Sequence, residues 1–558
     1  MTQWKTWLLK KLENPKIAPF VPKSITTLLQ GYSREDLGTD VVAGITVGVI
    51  SLPLAMAFAI GSGVDPARGI YTSIVAGFLI SLLGGSRFQI AGPTGAFVVL
   101  LFTIVQKNGY EGLAVATFVA SFILILLGFL RCGVLIRFIP HPVIIGFTAG
   151  IATVLLISQF KDFCGLVIEN PSSDAIDRLH QYSATISTFD WLAFIIASIT
   201  VAIMIRVRRY SRRLPAPVIA LAIITTLAWI FSLPIHTVFS KYGEIPASLP
   251  IPSLPNLSFD LIRKTFPDAI AIALLAGIES LLSCVIADSM TGTKHLSNCE
   301  LIAQGVGNLG STLFGGIPAT GAIARTAANV QMQAKSPISG MIHAITVLAL
   351  IMVLAPFASI MPLPALAAVL SFVAWNMMEF THIKNIFKGP KSDRLVLVIT
   401  YLVTICVNII TAVEVGVLLS ILVFMKKMSD TTTGNVWKLL EEEEEPVQVP
   451  EKLLSNVPQG VQVFEIEGPF FFAVSDLLNE LYERLNEKPK TIIVRLRSVP
   501  LIDSSGLHAI ERFENRLKGL GIGFYLCEAK PSLTRLLNTP QPEKSFEETL
   551  QLIEQRSP

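Results

Sequence analysis

The 558-residue sequence is 52% hydrophobic and only 15% charged, with a mean hydropathy of +0.60. Soluble domains carry about 25% charged residues, so most of this chain belongs in lipid, and a net charge of +3 gives no footing for nucleic acid. Six cysteines (132, 164, 284, 299, 406 and 527) form no C-x-x-C pair and no metal-ligand spacing; in apolar segments a free thiol behaves as a small hydrophobe.

Residues 1–39 are basic and polar (Lys5, Lys10, Lys11, Lys16, Lys23, Arg34), without a short apolar core ahead of a small-residue cleavage site. They read as a cytoplasmic lead-in, not a signal peptide. Apolar runs near the spanning length of about twenty residues then fall at 41–60, 67–83, 90–106, 112–130, 139–158, 190–206 and 215–232. A second set follows at 268–287, 301–315, 320–332, 338–358, 362–376, 394–412 and 413–426. The predicted membrane domain is therefore 40–428, with repeat one at 40–232 and repeat two at 267–428. The third and tenth runs are short and open on glycine and proline, at Gly92-Pro93-Thr94-Gly95 and after Gly315-Gly316-Ile317-Pro318.

Loop charges test the count. With the N-terminus inside, the even-numbered connections should be basic. They carry Arg87, then Arg131 and Arg137, then Arg206, Arg208, Arg209, Arg212 and Arg213, and later Lys384, Lys388, Lys391 and Arg394. Acidic residues gather on an odd connection, at Asp162, Glu169, Asp174, Asp177 and Asp190. The alternation predicts fourteen spans with both ends cytoplasmic, in a cell inner (plasma) membrane. Thr94-Gly95-Ala96 recurs as Thr320-Gly321-Ala322 at an offset of 226 residues, and the same offset carries Pro53 onto Glu279. An odd number of spans per half makes the repeats inverted. Interrupted spans at matching places in two halves point to a midplane binding site.

Glu279 stands alone in the apolar run Ala269–Ala287. A charged carboxylate at the centre of a spanning helix costs about 2.5–3.5 kcal/mol on insertion scales. Two readings stand: a protonated, hydrogen-bonded structural glutamate, or a carboxyl that couples transport to an ion. Beyond Lys426-Lys427 the composition changes. An acidic linker at 429–450 holds the run Glu441–Glu445. Residues 451–558 read as a small α/β domain, with strands at Val461–Ile466, Thr491–Leu496 and Gly523–Cys527 and helices near 475–487 and 505–518.

Several runs carry a family likeness. Pro66-Ala67-Arg68-Gly69-Ile70-Tyr71-Thr72-Ser73, ending at Gly84-Gly85-Ser86-Arg87, resembles the signature of the sulfate permease (SulP) family of anion transporters. It departs at Arg68, where an aromatic is usual, and at Ile70. Pro53–Ala59, Gly92-Pro93-Thr94 and Met290–His295 are similar to that family too. Leu501-Ile502-Asp503-Ser504-Ser505-Gly506-Leu507 resembles the phosphoacceptor loop of STAS domains. The resemblance implies an α-helical membrane protein of 14 transmembrane segments in a 7+7 inverted repeat, divided into core and gate domains. It also implies a homodimer, a cytosolic α/β STAS domain open to cytosolic regulators, and no cofactor.

By that resemblance a small anion sits between the facing starts of the third and tenth helices. The site then comprises Gly92, Pro93, Thr94 and Gly95 on one side and Gly321, Ala322, Ile323, Ala324 and Arg325 on the other, with Phe58 as aromatic wall. A helix that starts inside the membrane aims free N–H groups and a positive dipole end at whatever precedes it; the plainer alternative is a pair of packed kinks. Arg325 is read as a fixed cation behind the anion, as the partner that neutralises Glu279, or as both, since a buried arginine and carboxylate near one cavity influence each other's protonation. Sodium-driven bicarbonate members carry aspartate at the position of Glu279, and threonine at those of Ser283 and Ile323. Ile323 offers a cation no side-chain oxygen. Desolvation favours the neutral form of a carboxyl group, so Glu279 with Ser283 is read as a proton-coupling pair, sodium being the less favoured ion. The run Ile278–Leu282, together with Ala322-Ile323-Ala324-Arg325, looks closest to bacterial C4-dicarboxylic acid transporters. This points to succinate, fumarate or aspartate, ahead of sulfate or bicarbonate. Asp503, Ser504 and Ser505 are the regulatory candidates, Ser505 as phosphoacceptor, unless a serine only caps its helix. An anion channel and a membrane-anchored STAS scaffold are the competing functions; no nucleophile–base pair supports an enzyme.

Overall fold

The computed structural model describes residues 14, 18–134, 140–168, 171–172, 174–211, 214–407, 409–430, 433–436, 457–471, 477–483, 489–537 and 541–556. Lys5, Lys10, Lys11, Lys16, Arg137, Glu169, Arg212, Arg213 and the acidic run Glu441–Glu445 lie outside the described residues. Two compact units divide at Val417 and Leu418. The predicted domain boundary at 428 differs from this, because the last apolar helix runs across the division.

The first unit is helical. After α1 (Lys23–Gly31), α2 (Arg34–Gly61) opens on a capping box: Ser33 Oγ accepts from Asp36 N and the Asp36 carboxylate accepts from Ser33 N, each at 3.0 Å. α3 (Pro66–Leu83) begins at a proline behind Asp65, whose carboxylate accepts from Ala67 N at 2.8 Å. There follow β1 (Ala91–Gly92), α4 (Gly95–Phe129), α5 (His141–Phe163), α6 (Ala175–Thr185), α7 (Trp191–Tyr210), α8 (Ala216–Ile230) and α9 (Val238–Tyr242). The second half holds α10 (Phe259–Thr291), α11 (Ser297–Leu313), β2 (Thr320–Gly321), α12 (Ile323–Gln331), α13 (Ile338–Ser359) and α14 (Leu363–Met377). It ends with α15 (Phe380–Lys388), α16 (Lys391–Cys406) and α17 (Ile409–Asp430).

Each of the fourteen predicted spans coincides with a helical segment. The third and fourth are joined in α4, broken only at Gly109, whose φ of 66° and ψ of −176° suit glycine. The short helices α1, α6, α9 and α15 escaped the sequence reading, which counted apolar runs of spanning length. Among the described residues eight helices are long and apolar enough to cross a membrane by length and composition. The helices at four of the remaining spans, α8, α11, α12 and α16, are shorter, at 15, 17, 9 and 16 residues.

Packing repeats between the halves. α2 lies on α13 as α10 lies on α4; α4 lies on α11 as α13 lies on α3. These elements form one bundle. In the other, α5 packs on α14 and α16, and α14 packs on α7. A seven-plus-seven repeat with exchanged partners gives this pattern. Small residues set the distances: a Cβ on Gly44 or Gly48 of α2 would meet α13 at Ser339, Ile342 or Thr346.

The second unit carries a four-stranded sheet, in the order β3 (Thr433–Val436), β4 (Val461–Glu467), β5 (Thr491–Ser498), β6 (Gly523–Cys527). β3 is antiparallel to β4, whereas β4, β5 and β6 are parallel. The parallel order requires crossovers, and α19 (Ser504–Gly519) links β5 to β6 after α18 (Leu477–Glu483). Phe464, Phe470, Ile492, Val494 and Phe513 are buried in its core. The strands match the predicted ones within two residues. β3 lies in the stretch read as linker.

Gly69 of α3 tests the helix packing. A Cβ there would collide with the carbonyl oxygen of Ala55 on α2, and backbone cannot yield as a side chain does. Gly69→Ala is expected to destabilise the first unit by about 1–3 kcal/mol, read as a lower melting temperature in detergent. An unchanged melting temperature would disprove that contact.

Candidate functional site

The two interrupted spans meet. β1 and β2 pair antiparallel, Ala91 opposite Gly321 and Gly92 opposite Thr320, and each leads directly into a helix. Backbone this irregular is tolerated at membrane depth only where its polar groups are satisfied by protein. Side chains from four helices do this. Ser280 Oγ accepts from Gly321 N at 3.0 Å, and Thr326 Oγ1 accepts from Ile90 N at 3.1 Å. Asn308 holds both Ala319 N and Ala319 O, at 2.7 and 2.9 Å. Thr72 Oγ1 accepts from Ile317 N at 2.7 Å, and Asn329 Nδ2 donates to Phe88 O at 2.9 Å.

The helices that follow start without side-chain caps: Thr94 precedes α4 and Ala322 precedes α12, and neither caps its helix. Their first-turn N–H groups therefore point towards the space between them. A cavity of about 260 Å³ lies there. Pro93, Thr94, Gly95 and Ala96 line it from one start, and Ala322, Ile323, Ala324 and Arg325 from the other. Phe58 and Glu279 complete this side. The facing wall is Phe147 and Ile151 of α5 with Val373, Asn376 and Met377 of α14.

Arg325 is buried, at 3% exposure. Its Nη2 donates to Pro93 O at 3.1 Å, while its Nη1 has no hydrogen-bond partner among the described residues. Gly92 lies off the cavity, but a Cβ there would sit 2.5 Å from Arg325 Nη1, so glycine lets the guanidinium lie against β1. Gly321 also lies off the cavity wall; a Cβ on it would press on the Gln89 amide. No ion pair joins Arg325 to Glu279 among the described residues. Arg325 therefore lies buried beside the cavity without an ion pair to Glu279.

Glu279 Oε2 accepts from Thr94 Oγ1 at 3.0 Å, so the residue that ends the broken strand touches the α10 carboxyl. Ser283, expected beside Glu279, is placed elsewhere. It is fully buried, donates to Thr326 Oγ1 at 3.0 Å, and joins α10 to α12. Ser280, which the sequence reading passed over, is the α10 hydroxyl that holds the strands. It bonds Thr320 Oγ1 at 2.7 Å besides Gly321 N. Three polar residues in one apolar run were the available signal. In the second unit Asp503 caps α19, its Oδ1 accepting from Gly506 N at 2.7 Å. The cap is thus not a serine; Ser504 is exposed and Ser505 half-buried in the first turn.

Two helices starting head-on within a membrane bundle, with a buried guanidinium between them, have the build of an anion transporter. Comparison with known proteins gives the family. The pattern described as "Sulfate permease family" matches residues 37–400 and that of the STAS domain matches 453–552, so the chain belongs to the sulfate permease family and carries a STAS domain. It is 40% identical over 491 residues to "Putative sulfate transporter YvdB" of Bacillus subtilis, covering 88% of this chain and 91% of that one. It is 31% identical over 448 residues to "Bicarbonate transporter BicA" of Picosynechococcus, covering 78% and 79%. The transmembrane domain of a cyanobacterial BicA superposes with a TM-score of 0.61 at 30% identity, over 69% of this chain and 97% of that one. SLC26A9 superposes at 0.84 over 99% and 96%, and at 17% identity shows the fold alone. These relatives are named for sulfate and bicarbonate. The expected nearness to C4-dicarboxylate transporters is corrected accordingly.

Arg325→Ala removes a charged hydrogen-bond donor from the cavity. It is expected to weaken anion binding by about 1.5–3 kcal/mol, or about 10–100-fold, in protein that still elutes and melts as a folded species. Binding of radiolabelled sulfate to the purified variant measures this. Wild-type affinity would move the anion out of this cavity.

Proposed function

We propose that this anion transporter carries a small inorganic oxyanion, sulfate foremost, inward by alternating access, with a proton as the coupled ion. The supporting observation is the pairing of Arg325 and two uncapped helix starts with the Glu279 carboxyl on the same side of one cavity, the other lining carboxyl, Glu379, standing on the opposing wall. Each helix start contributes roughly +0.5 charge. Together with the guanidinium they offer about two positive charges, the complement of sulfate. An ionised Glu279 cancels part of that field; a protonated one leaves it whole. Proton and anion then favour each other's binding, and by linkage the effect is reciprocal. Protonated Glu279 and anion load together from the acidic side and release together on the other.

Bicarbonate is the second reading, favoured by the match to BicA. A proton carried with bicarbonate amounts to moving carbon dioxide and water, so that reading requires sodium instead. Ile323 at the cavity supplies no side-chain oxygen, and Ser283 does not line the cavity. Both weigh against a sodium site and for the proton.

The basic even-numbered loops support placing both termini and the STAS domain in the cytoplasm, with the first unit in the plasma (inner) membrane. In this reading the protein is a homodimer and the STAS domain sets its rate. An added phosphate at Ser505, or at Ser504, is favoured by the positive end of α19, while Asp503 keeps the cap.

In proteoliposomes, sulfate uptake is expected to rise as external pH falls, since more of Glu279 is then protonated on the loading side. Glu279→Gln, neutral at every pH, should lose accumulation driven by a pH gradient while retaining sulfate exchange. Uptake that requires sodium and ignores pH would overturn the proton. Truncation after Lys427 is expected to leave the affinity for sulfate unchanged and to alter transport rate or membrane abundance. Loss of sulfate binding in a folded truncated protein would show that the STAS domain helps build the site.

A further inference from the structure

A second, larger recess lies outside the transport cavity. It is a groove of about 730 Å³ between α5, α7 and α14. Its walls divide by chemistry. Leu156 of α5, Val201 and Ile205 of α7, and Phe372 of α14 form an apolar side, and Ile205 is 54% exposed on a membrane-spanning helix. Arg208, Arg209 and Tyr210 at the end of α7 form a polar side, with Trp375 of α14 beside them. Trp375 and Tyr210 are exposed, as aromatic residues at the headgroup level are.

We propose that this groove binds one anionic glycerophospholipid, its phosphate between Arg208 and Arg209 and its acyl chains along the apolar side. Three observations carry this. Neither guanidinium has a carboxylate within ion-pair distance among the described residues, and guanidinium forks match phosphate oxygens. Arginines at a helix end commonly do no more than complement its dipole, but Arg208 reaches away from its own helix. It lies 5.6 Å over the Phe372 ring, with Nη1 2.5 Å from Asn376 Oδ1 on α14. The groove also pairs a charged end with an apolar wall open to lipid. A soluble phosphate would leave that wall uncovered, and a phospholipid covers both.

Asn376 gives the site a consequence. It lines the transport cavity as well as the groove, and its Nδ2 donates to Phe372 O at 2.8 Å. A headgroup that draws Arg208 shifts a hydrogen bond made to a residue of the cavity wall. The bound lipid therefore tunes uptake through α14, whichever anion is carried.

Native mass spectrometry of the full-length protein, with equal phosphatidylglycerol and phosphatidylcholine added, tests the binding. Wild type should retain phosphatidylglycerol over phosphatidylcholine, and Arg209→Gln should reduce that preference about fivefold, with a further loss of similar size on adding Arg208→Gln. Arg209 is exposed and makes no ion pair, so its single variant reads the site even if the double variant does not fold. Equal retention of the two lipids by wild type, or an undiminished preference in Arg209→Gln, would overturn the proposal. So would stabilisation of the wild type by inorganic phosphate as strong as that by phosphatidylglycerol, which would assign the groove to a soluble anion. Uptake by wild type should rise with the phosphatidylglycerol content of the liposomes and stay flat in the variant. Selective retention with flat wild-type uptake would refute the route through Asn376.

Discussion

Everything at the transport site depends on one requirement: a backbone N–H or C=O inside a membrane must find a partner within the protein. An unbroken helix meets it alone. The segments 88–94 and 315–322 do not, and would be untenable without Ser280, Asn308, Thr326, Asn329 and Thr72 set around them. Once those side chains take over the strands, two helices can start in mid-membrane with their own first N–H groups left for a ligand. The anion site follows from where the backbone is satisfied and where it is deliberately left unsatisfied.

Behind the strands a buried carboxylate, Glu300, serves the same requirement. It is fully buried and accepts from Gly85 N at 2.9 Å, Gln89 Nε2 at 2.8 Å and Gln304 Nε2 at 3.0 Å. With its amide nitrogen held by Glu300, Gln89 turns its oxygen to Cys284 and its flank to Gly321. A carboxylate so supplied with donors is a structural element. Glu279 has one hydroxyl contact and a face on the cavity. The two glutamates of this bundle differ in how many donors reach them, and the coupling role proposed for Glu279 rests on that difference.

The sequence showed the breaks plainly, because glycine and proline at 92–95 and 315–321 cannot be read as continuous helix, and a lone Glu279 in an apolar run cannot be read as packing. It was less informative at Ser283, which was singled out from its place in the family alone; the Thr326 that accepts from its hydroxyl comes from another segment and leaves no mark on local periodicity. Arg325 stayed ambiguous for the same reason: whether it faces Glu279 or the Pro93 carbonyl is decided by the β1–β2 pairing. The transported anion was less legible still. Two helix starts and one guanidinium accept any small anion, and a few matching residues near Glu279 suggested a dicarboxylate where full-length relatives carry the names of inorganic ions.

On the reading proposed above, the division of polar groups between the two bundles is the physical basis of alternating access. Thr94, Glu279, Arg325 and both helix starts belong to the bundle built from α2–α4 and α10–α13. The opposing wall is apolar at Phe147, Ile151, Val373 and Met377 and polar at Thr148, Asn376 and Glu379. The groups that hold an anion therefore move as one body, and an apolar surface makes no directional bond that sliding would have to break. A charge shared between the bundles would be left half-solvated at every step of such a movement, at a high cost in a low-dielectric medium. With the whole cradle on one side, the proposed shift of the first bundle past the second keeps the groups that would hold anion and proton together.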